Sequence, residues 1–251
     1  MLAIADWQTT WKLNVKPSSS ERRPDQARSH NDCAYKSTTY NPFPLIARPA
    51  SISLTFTPPS SLHGYQRTRV IIFRKSVLGL DVSKKMLEQA CKTTAASNIR
   101  YERADLEALD LPGGGFDLAY SSLALHYIKD LPGLFANVHA ALKPGAHFVF
   151  SIEHPIFMAP RNPGWIIDAE GRKSWPVDGY QREGERVTHW LADGVIKQHR
   201  TIGTLLNMLI AAGFCIRHVN EWGPSDAEVA AQPALAEERE RPMMMLVGVQ
   251  R

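Results

Sequence analysis

The chain has 251 residues, 44% of them apolar, enough to bury one substantial core with length left for a lid or a tail. Its net charge of +4 is unevenly split: residues 1–76 carry 11 Lys/Arg against 4 Asp/Glu, and the remainder carries 18 against 21. A slightly acidic body behind a basic front argues against a nucleic-acid reader, and no run of about 18 apolar residues offers a membrane span.

Residues 1–76 contain 10 Ser, 7 Thr and 7 Pro, and prolines so spaced forbid a long helix. The tract Ser18-Ser19-Ser20-Glu21-Arg22-Arg23-Pro24 reads as disordered. An Arg- and Ser-rich start invites comparison with a mitochondrial transit peptide, but the early prolines and Asp6, Glu21, Asp25 and Asp32 oppose it. Two β-prone pieces, Ser51–Phe56 and Val70–Phe73, are each able to pair as a strand. Neither is followed by a glycine turn, since Gly64 is the sole glycine before Leu78. Cys33, Cys91 and Cys215 fit no C-x-x-C spacing and read as reduced thiols of a cytoplasmic protein.

From Val77 the pattern becomes regular. Val77 to Asp81 is a buried strand, Ser83 an N-cap, and the helix after it runs to about Thr93 with Met86, Leu87 and Ala90 on one face. An acid ending such a strand, ahead of a capped helix, is placed to accept hydrogen bonds from the ribose of an adenosine cofactor. Ile99–Arg103 alternates as a second strand and runs into Ala104-Asp105. The turn Pro112-Gly113-Gly114-Gly115 precedes a third strand, Phe116–Ser121; because a strand follows, it reads as a turn and not as a phosphate loop. Leu131–Leu142 is helical and closes at Lys143-Pro144-Gly145, before a fourth strand, His147–Ile152. This alternation implies right-handed crossovers and a parallel sheet. A loop-rich insert, Glu153–Gln198, bears Trp165, Trp175, Tyr180 and Trp190, and its aromatic surface suits a flat or cationic ligand. Thr201–Ala212 is a helix ending at Gly213. Strands at Phe214–Trp222 and Met243–Val249 finish the chain, joined by an Ala/Glu-rich helical connection, with Met243-Met244-Met245 in a buried strand.

Four stretches in this order, LGLDVSKKML (78–87), RADLEALDLPGGGFDLAYSSLALHYIKDL (103–131), LKPGAHFVFSIEHP (142–155) and AAGF (211–214), resemble a class I S-adenosylmethionine-dependent methyltransferase of the small-molecule type. The resemblance implies an α/β fold with a Rossmann-like, mostly parallel sheet of seven strands, the last of them antiparallel. It spans residues 77–251, with 153–198 as a lid, and leaves 1–76 as a degenerate or disordered part outside the family core. It implies S-adenosyl-L-methionine as cofactor and a small-molecule methyl acceptor and says nothing of oligomeric state; charge, hydropathy and ligand spacing argue against nucleic-acid, membrane and metal partners. Carried over by position, Asp81 with Val82 takes the ribose hydroxyls, and Asp105 with Leu106 faces the adenine. Ser121, Ser122 and Leu123 lie beside the methionine part. His126, Glu153 and His154 sit at the rim where an acceptor would lose a proton. The plainer readings remain open: Asp81 and Asp105 as turn or capping acids, His126 as a histidine packed under the lid. His139, His189 and His199 have no metal-ligand spacing.

One family feature is missing. The glycine-rich loop after the family's first strand holds the methionine moiety through backbone N–H groups, which glycines let the ligand approach. Here the window Pro58–Tyr65 reads PPSSLHGY, with prolines that remove donors and side chains that fill the space. The expectation is weakened cofactor binding, with residues 1–76 as foreign sequence joined to a methyltransferase body. Two other readings stay open. One is a non-catalytic methyltransferase-like protein. The other is an NAD-dependent dehydrogenase using the same Asp81, although no Tyr-x-x-x-Lys pattern supports it.

Overall fold

The computed structural model describes residues 51–55, 69–73, 76–94, 96–188 and 194–251, the first two segments by backbone only. The Ser18–Pro24 tract, Cys33, Phe56, the Pro58–Tyr65 window, His189 and Trp190 lie outside the described residues, so the expectations placed on them are not addressed. Strand β1 (Ser51–Thr55) pairs antiparallel with β2 (Arg69–Phe73), a hairpin pairing of the two β-prone pieces.

Strand β3 (Val77–Asp81) opens the alternating body, and helix α1 (Lys84–Thr93) follows at once. The cap is double: Ser83 Oγ accepts from Met86 N at 3.4 Å, and Asp81 Oδ1 accepts from Ser83 N at 2.6 Å. Strand β4 (Ile99–Arg103) lies parallel to β3, with Asp81 opposite Arg103. Strand β5 (Phe116–Ser122) leads to α2 (Leu131–Ala141), whose Leu131, Leu134, Phe135, Val138 and Ala141 are buried at helical spacing. Asp130 caps α2 by accepting from Gly133 N at 3.0 Å.

Strand β6 (Leu142–Glu153) begins earlier than His147, taking in the Lys143-Pro144-Gly145 turn. Gly145 accommodates this at φ +79°, a conformation that side chains disfavour. The insert folds as helix α3 (Pro155–Met158) and two small antiparallel hairpins. These are β7 (Ile166–Ile167) with β8 (Lys173–Ser174), and β9 (Gly184–Thr188) with β10 (Val195–His199). Helix α4 (Ile202–Ala211) ends at Gly213, φ +93°, before β11 (Cys215–Glu221). Helix α5 (Asp226–Ala231) and a 3-10 segment, Pro233–Arg239, lead to β12 (Met244–Gln250).

The main sheet has the order β11-β12-β6-β5. β5 and β6 run parallel, and β12 inserts antiparallel to both β6 and β11, as the two closing strands were expected to do. Alternate residues Phe148, Phe150 and Ile152 of β6 and Met245, Val247 and Val249 of β12 are buried. With Phe135 of α2 and Leu205 and Leu209 of α4 they make one core. Leu80 of β3 and Ala119 of β5 belong to the same core, so both parallel pairs share it. Yet among the described residues β3 is bonded only to β4, and β5 only to β6. Each of these strands, with buried residues of its own, therefore has one edge without a described neighbour. No described helix is long and apolar enough to cross a membrane.

Candidate functional site

Hydrogen bonds tie the loops at the carboxyl ends of the parallel strands into one edge. After β4, Asp105 caps a 3-10 turn (Leu106–Ala108) by accepting from Glu107 N at 3.0 Å, while Leu106 drops into the core. The Glu107 carboxylate then accepts from Lys129 N at 2.5 Å and Asp130 N at 3.0 Å, in the loop after β5. Arg200, at the end of the insert, donates to Ile128 O at 2.7 Å and Lys129 O at 2.9 Å in that same loop. Ala104 N donates to Asp81 O at 3.1 Å and so joins the ends of β3 and β4.

At the end of β3, the Asp81 carboxyl is half-buried, and burial pushes it above the usual carboxylate range, against the lowering effect of the Ser83 N–H. Val82 is exposed, and its carbonyl accepts from Arg103 Nε at 3.0 Å. At the end of β5, Ser121 is fully buried and its Oγ finds no hydrogen-bond partner among the described residues. Such an orphaned hydroxyl is unusual away from a binding or reaction site. Ser122 Oγ lies 3.4 Å from Ser151 Oγ on β6. Leu123 has φ +47°, the sole described non-glycine residue in the left-handed region. Ser151 holds it there, its carbonyl accepting from Leu123 N at 2.9 Å. Strain of this kind, order 1 kcal/mol or more, persists where the surroundings enforce it.

His126 is 1% exposed, and desolvation drives its pKa down to about 4 against the opposing charge of Glu153. Its Nδ1 accepts from Glu153 N at 3.4 Å, which places the proton of the neutral ring on Nε2, 3.9 Å from Glu153 Oε1. Glu153 is itself buried and accepts from Lys197 Nζ at 2.5 Å, so strand β10 of the insert is pinned to the end of β6 by a buried ion pair. Tyr127 packs on His126 at 4.2 Å between ring centroids, and burial, with Glu153 nearby, raises its phenol to about 12. Neither His126 nor Tyr127 is thus set to take a proton at neutral pH.

His154 stands apart from this group. Its Nδ1 accepts from Ile156 N at 3.1 Å, capping α3, and its Nε2 faces Glu221 Oε1 at 2.7 Å. Both ring nitrogens are committed to holding the start of the insert. The insert's aromatics also have internal partners. Trp165, Trp175 and Phe157 surround the guanidinium of Arg241, and Tyr180 packs on His199. The expected aromatic surface for a flat or cationic ligand is therefore occupied in large part by the protein's own cation. Lys197 and Arg241 escaped the sequence reading. Their partners lie far off along the chain, and no local spacing marks them.

Comparison with known proteins fits this geometry. The family model described as a methyltransferase domain matches residues 63–150, beginning upstream of Val77. The chain is 60% identical to an S-adenosylmethionine-dependent methyltransferase from Mesorhizobium loti of known structure, with a TM-score of 0.68 over 70% of this chain and 81% of that one. It therefore belongs to the S-adenosylmethionine-dependent methyltransferases. The cofactor that goes with the family is S-adenosyl-L-methionine.

Several curated relatives carry specific names. Over 104 residues the chain is 36% identical to a malonyl-[acyl-carrier protein] O-methyltransferase from Pseudescherichia vulneris, covering 41% of this chain and 39% of that protein. Over 80 residues it is 39% identical to a trans-aconitate 2-methyltransferase from Deinococcus radiodurans, covering 32% and 29%. A third relative, from Haemophilus influenzae, is 33% identical over 153 residues, covering 58% of this chain and 60% of that protein. The chain thus spans less than two thirds of the length of each of these curated relatives.

Proposed function

We propose that this chain is a methyltransferase for a small-molecule acceptor, and that its hold on the methionine end of the cofactor is weak. The carrying observation is the linked strand-end edge from Asp81 and Asp105 through Leu123 and His126 to Glu153. The orphaned Ser121 hydroxyl and the strained Leu123 sit in its middle. On this reading Asp81, beside Val82, takes the ribose hydroxyls, and Asp105 with Leu106 borders the adenine. Ser121, Ser122 and Leu123 line the path to the methionine part. The small-molecule assignment draws on the named relatives, whose acceptors are a malonyl group on a carrier protein and trans-aconitate. The cytoplasm is the compartment that suits three cysteines with no C-x-x-C spacing.

When bound, the cofactor supplies a sulfonium methyl that is already electrophilic. The protein's part is to align the acceptor and keep water out. Residues 153–198 act as the lid, held to β6 by the Glu153–Lys197 pair. His126 holds the rim through Nδ1, which accepts from Glu153 N, and is not the base, because that nitrogen is engaged and its pKa of about 4 leaves it a poor proton acceptor. Glu153 and His154 hold the rim from the β6 side.

The open edges of β3 and β5 support the second half of the proposal. A strand between them would join both sheets of the body into the family's seven, and that strand is the one that leads into the glycine loop. Among the described residues no strand fills that gap, and residues 1–76 contain no glycine-rich turn. The same observation favours a second reading, a non-catalytic methyltransferase-like protein.

Titration of the purified chain with S-adenosylhomocysteine, beside the Asp81→Asn variant, tests the proposal. Hydrogen bonds to a charged group contribute roughly 1.5–3 kcal/mol, so the variant should bind about tenfold to a hundredfold more weakly than the parent. Equal affinity of the two proteins would remove Asp81 from the site. No binding by either at millimolar ligand would favour the non-catalytic reading.

A further inference from the structure

Arg241 lies between the 3-10 segment Pro233–Arg239 and β12, and only 7% of it is exposed. Its guanidinium carbon sits 4.4 Å from the centroid of Trp175, 4.7 Å from Phe157 and 5.0 Å from Trp165. The three rings support one another. Phe157 and Trp175 stack at 5.4 Å with 4° between planes, and Trp165 meets Trp175 edge-on at 5.4 Å. Trp175 Nε1 donates to Ile156 O at 3.1 Å, fixing the indole over α3. All three rings come from the first half of the insert.

The hydrogen bonding of this arginine is incomplete. Its Nη1 donates to Glu238 Oε2 at 3.0 Å, but its Nε is buried with no partner among the described residues. A buried cation kept with an unmet donor must be held by something besides hydrogen bonds, and ring faces on three sides supply it. Arginine suits the role because its guanidinium is flat and weakly hydrated. Two residues further on, Met243 O accepts from His154 N at 2.9 Å, so one short segment grips the start of the insert by side chain and by backbone.

We propose that Arg241 is a positioning residue, the occupant of a guanidinium-selective aromatic cage that clamps residues 155–175 against the approach to β12. It rests on the reading of 153–198 as a lid. It makes the lid doubly pinned, its first half by Arg241 and its second half by Lys197 on Glu153. Through His154 and Glu153 the clamp fixes the β6 rim of the crevice.

Limited trypsin digestion of the full chain, followed by mass, tests the clamp at Arg161, Arg172, Lys173 and Arg182. Arg241→Met should be cut there about tenfold faster than the parent, as expected when a local closure is lost. Guanidinium chloride at tens of millimolar should slow that cleavage saturably, while sodium chloride at equal ionic strength should not. Arg241→Lys keeps the charge but not the flat fork and should fall between. Trp165→Leu, which removes a wall and leaves the cation, should loosen the strip without any response to guanidinium; this variant decides the matter if Arg241→Met does not fold. Cleavage of Arg241→Met or Trp165→Leu at the parental rate, or equal effects of the two salts on Arg241→Met, would overturn the proposal. Cofactor and acceptor play no part in this readout. A parent chain that transfers no methyl group would count against the functional reading while leaving the cage result intact.

Discussion

Lowering the pH should destabilise this protein in part through His126. The ring is buried, and its pKa falls from the ordinary 6.5 to about 4. The unfolded chain therefore takes up a proton that the folded chain refuses. The resulting stability is fully present above pH 6.5 and is lost as pH falls from there towards 4. The linkage relation puts the loss at about 2 kcal/mol by pH 5 and about 3 kcal/mol by pH 4. His139, His154 and His199 are also lowered by burial and push the same way, so His126 must be isolated by difference. Asn is the suitable replacement, because its Oδ1 stands where Nδ1 accepts from Glu153 N. Urea unfolding of parent and His126→Asn at pH 7.5, 6, 5 and 4.5 gives the comparison. The variant should start less stable, but its stability between pH 7.5 and 5 should fall by about 2 kcal/mol less than the parent's. Parallel curves would mean that His126 does not sit neutral and buried beside Glu153.

Two further outcomes follow from buried contacts. Lys197→Met strands the buried Glu153 carboxylate and should cost about 3–5 kcal/mol by urea unfolding; adding Glu153→Gln should recover most of it, and additive losses would show the two residues are not coupled. Gly213→Ala should cost at least about 1 kcal/mol in the same assay, because φ is +93° and a Cβ would approach His139 Nε2 to 3.1 Å; an unchanged midpoint would contradict the left-handed turn there.

Much of the body was legible because local chemistry and tertiary role agree. Asp81 and Ser83 mark the end of β3 and the start of α1 by hydrogen bonds spanning only two or three residues. The period-2 burial of Phe148, Phe150 and Ile152, and the helical spacing of Leu131, Phe135 and Val138, are equally local. The start of β6 was not legible. Lys143-Pro144-Gly145 has the composition of a turn and stays outside the ladder: β5 pairs with Leu142 and next with His147, a register shift that carries the strand across the tripeptide. The state of the rim was hidden for a related reason. His126 looks like a base in sequence, and only the backbone N–H of Glu153, 27 residues away, shows which of its nitrogens carries the proton. Aromatics in the insert promised an open surface, but Arg241 fills the space between three of the rings.

The proposed weak hold on the methionine end follows from a sequence with no glycine-rich turn before Leu78. Calorimetry with S-adenosylhomocysteine tests it most directly, on this chain and on a version whose residues 1–76 are replaced by a family first strand and G-x-G-x-G turn. Losing two backbone contacts to the charged methionine end costs on the order of 3 kcal/mol, about a hundredfold in affinity. The replaced protein should bind at least a hundredfold more tightly than the unmodified chain. Micromolar binding by the unmodified chain would contradict the weak hold, because some other segment would then be doing the glycine loop's work.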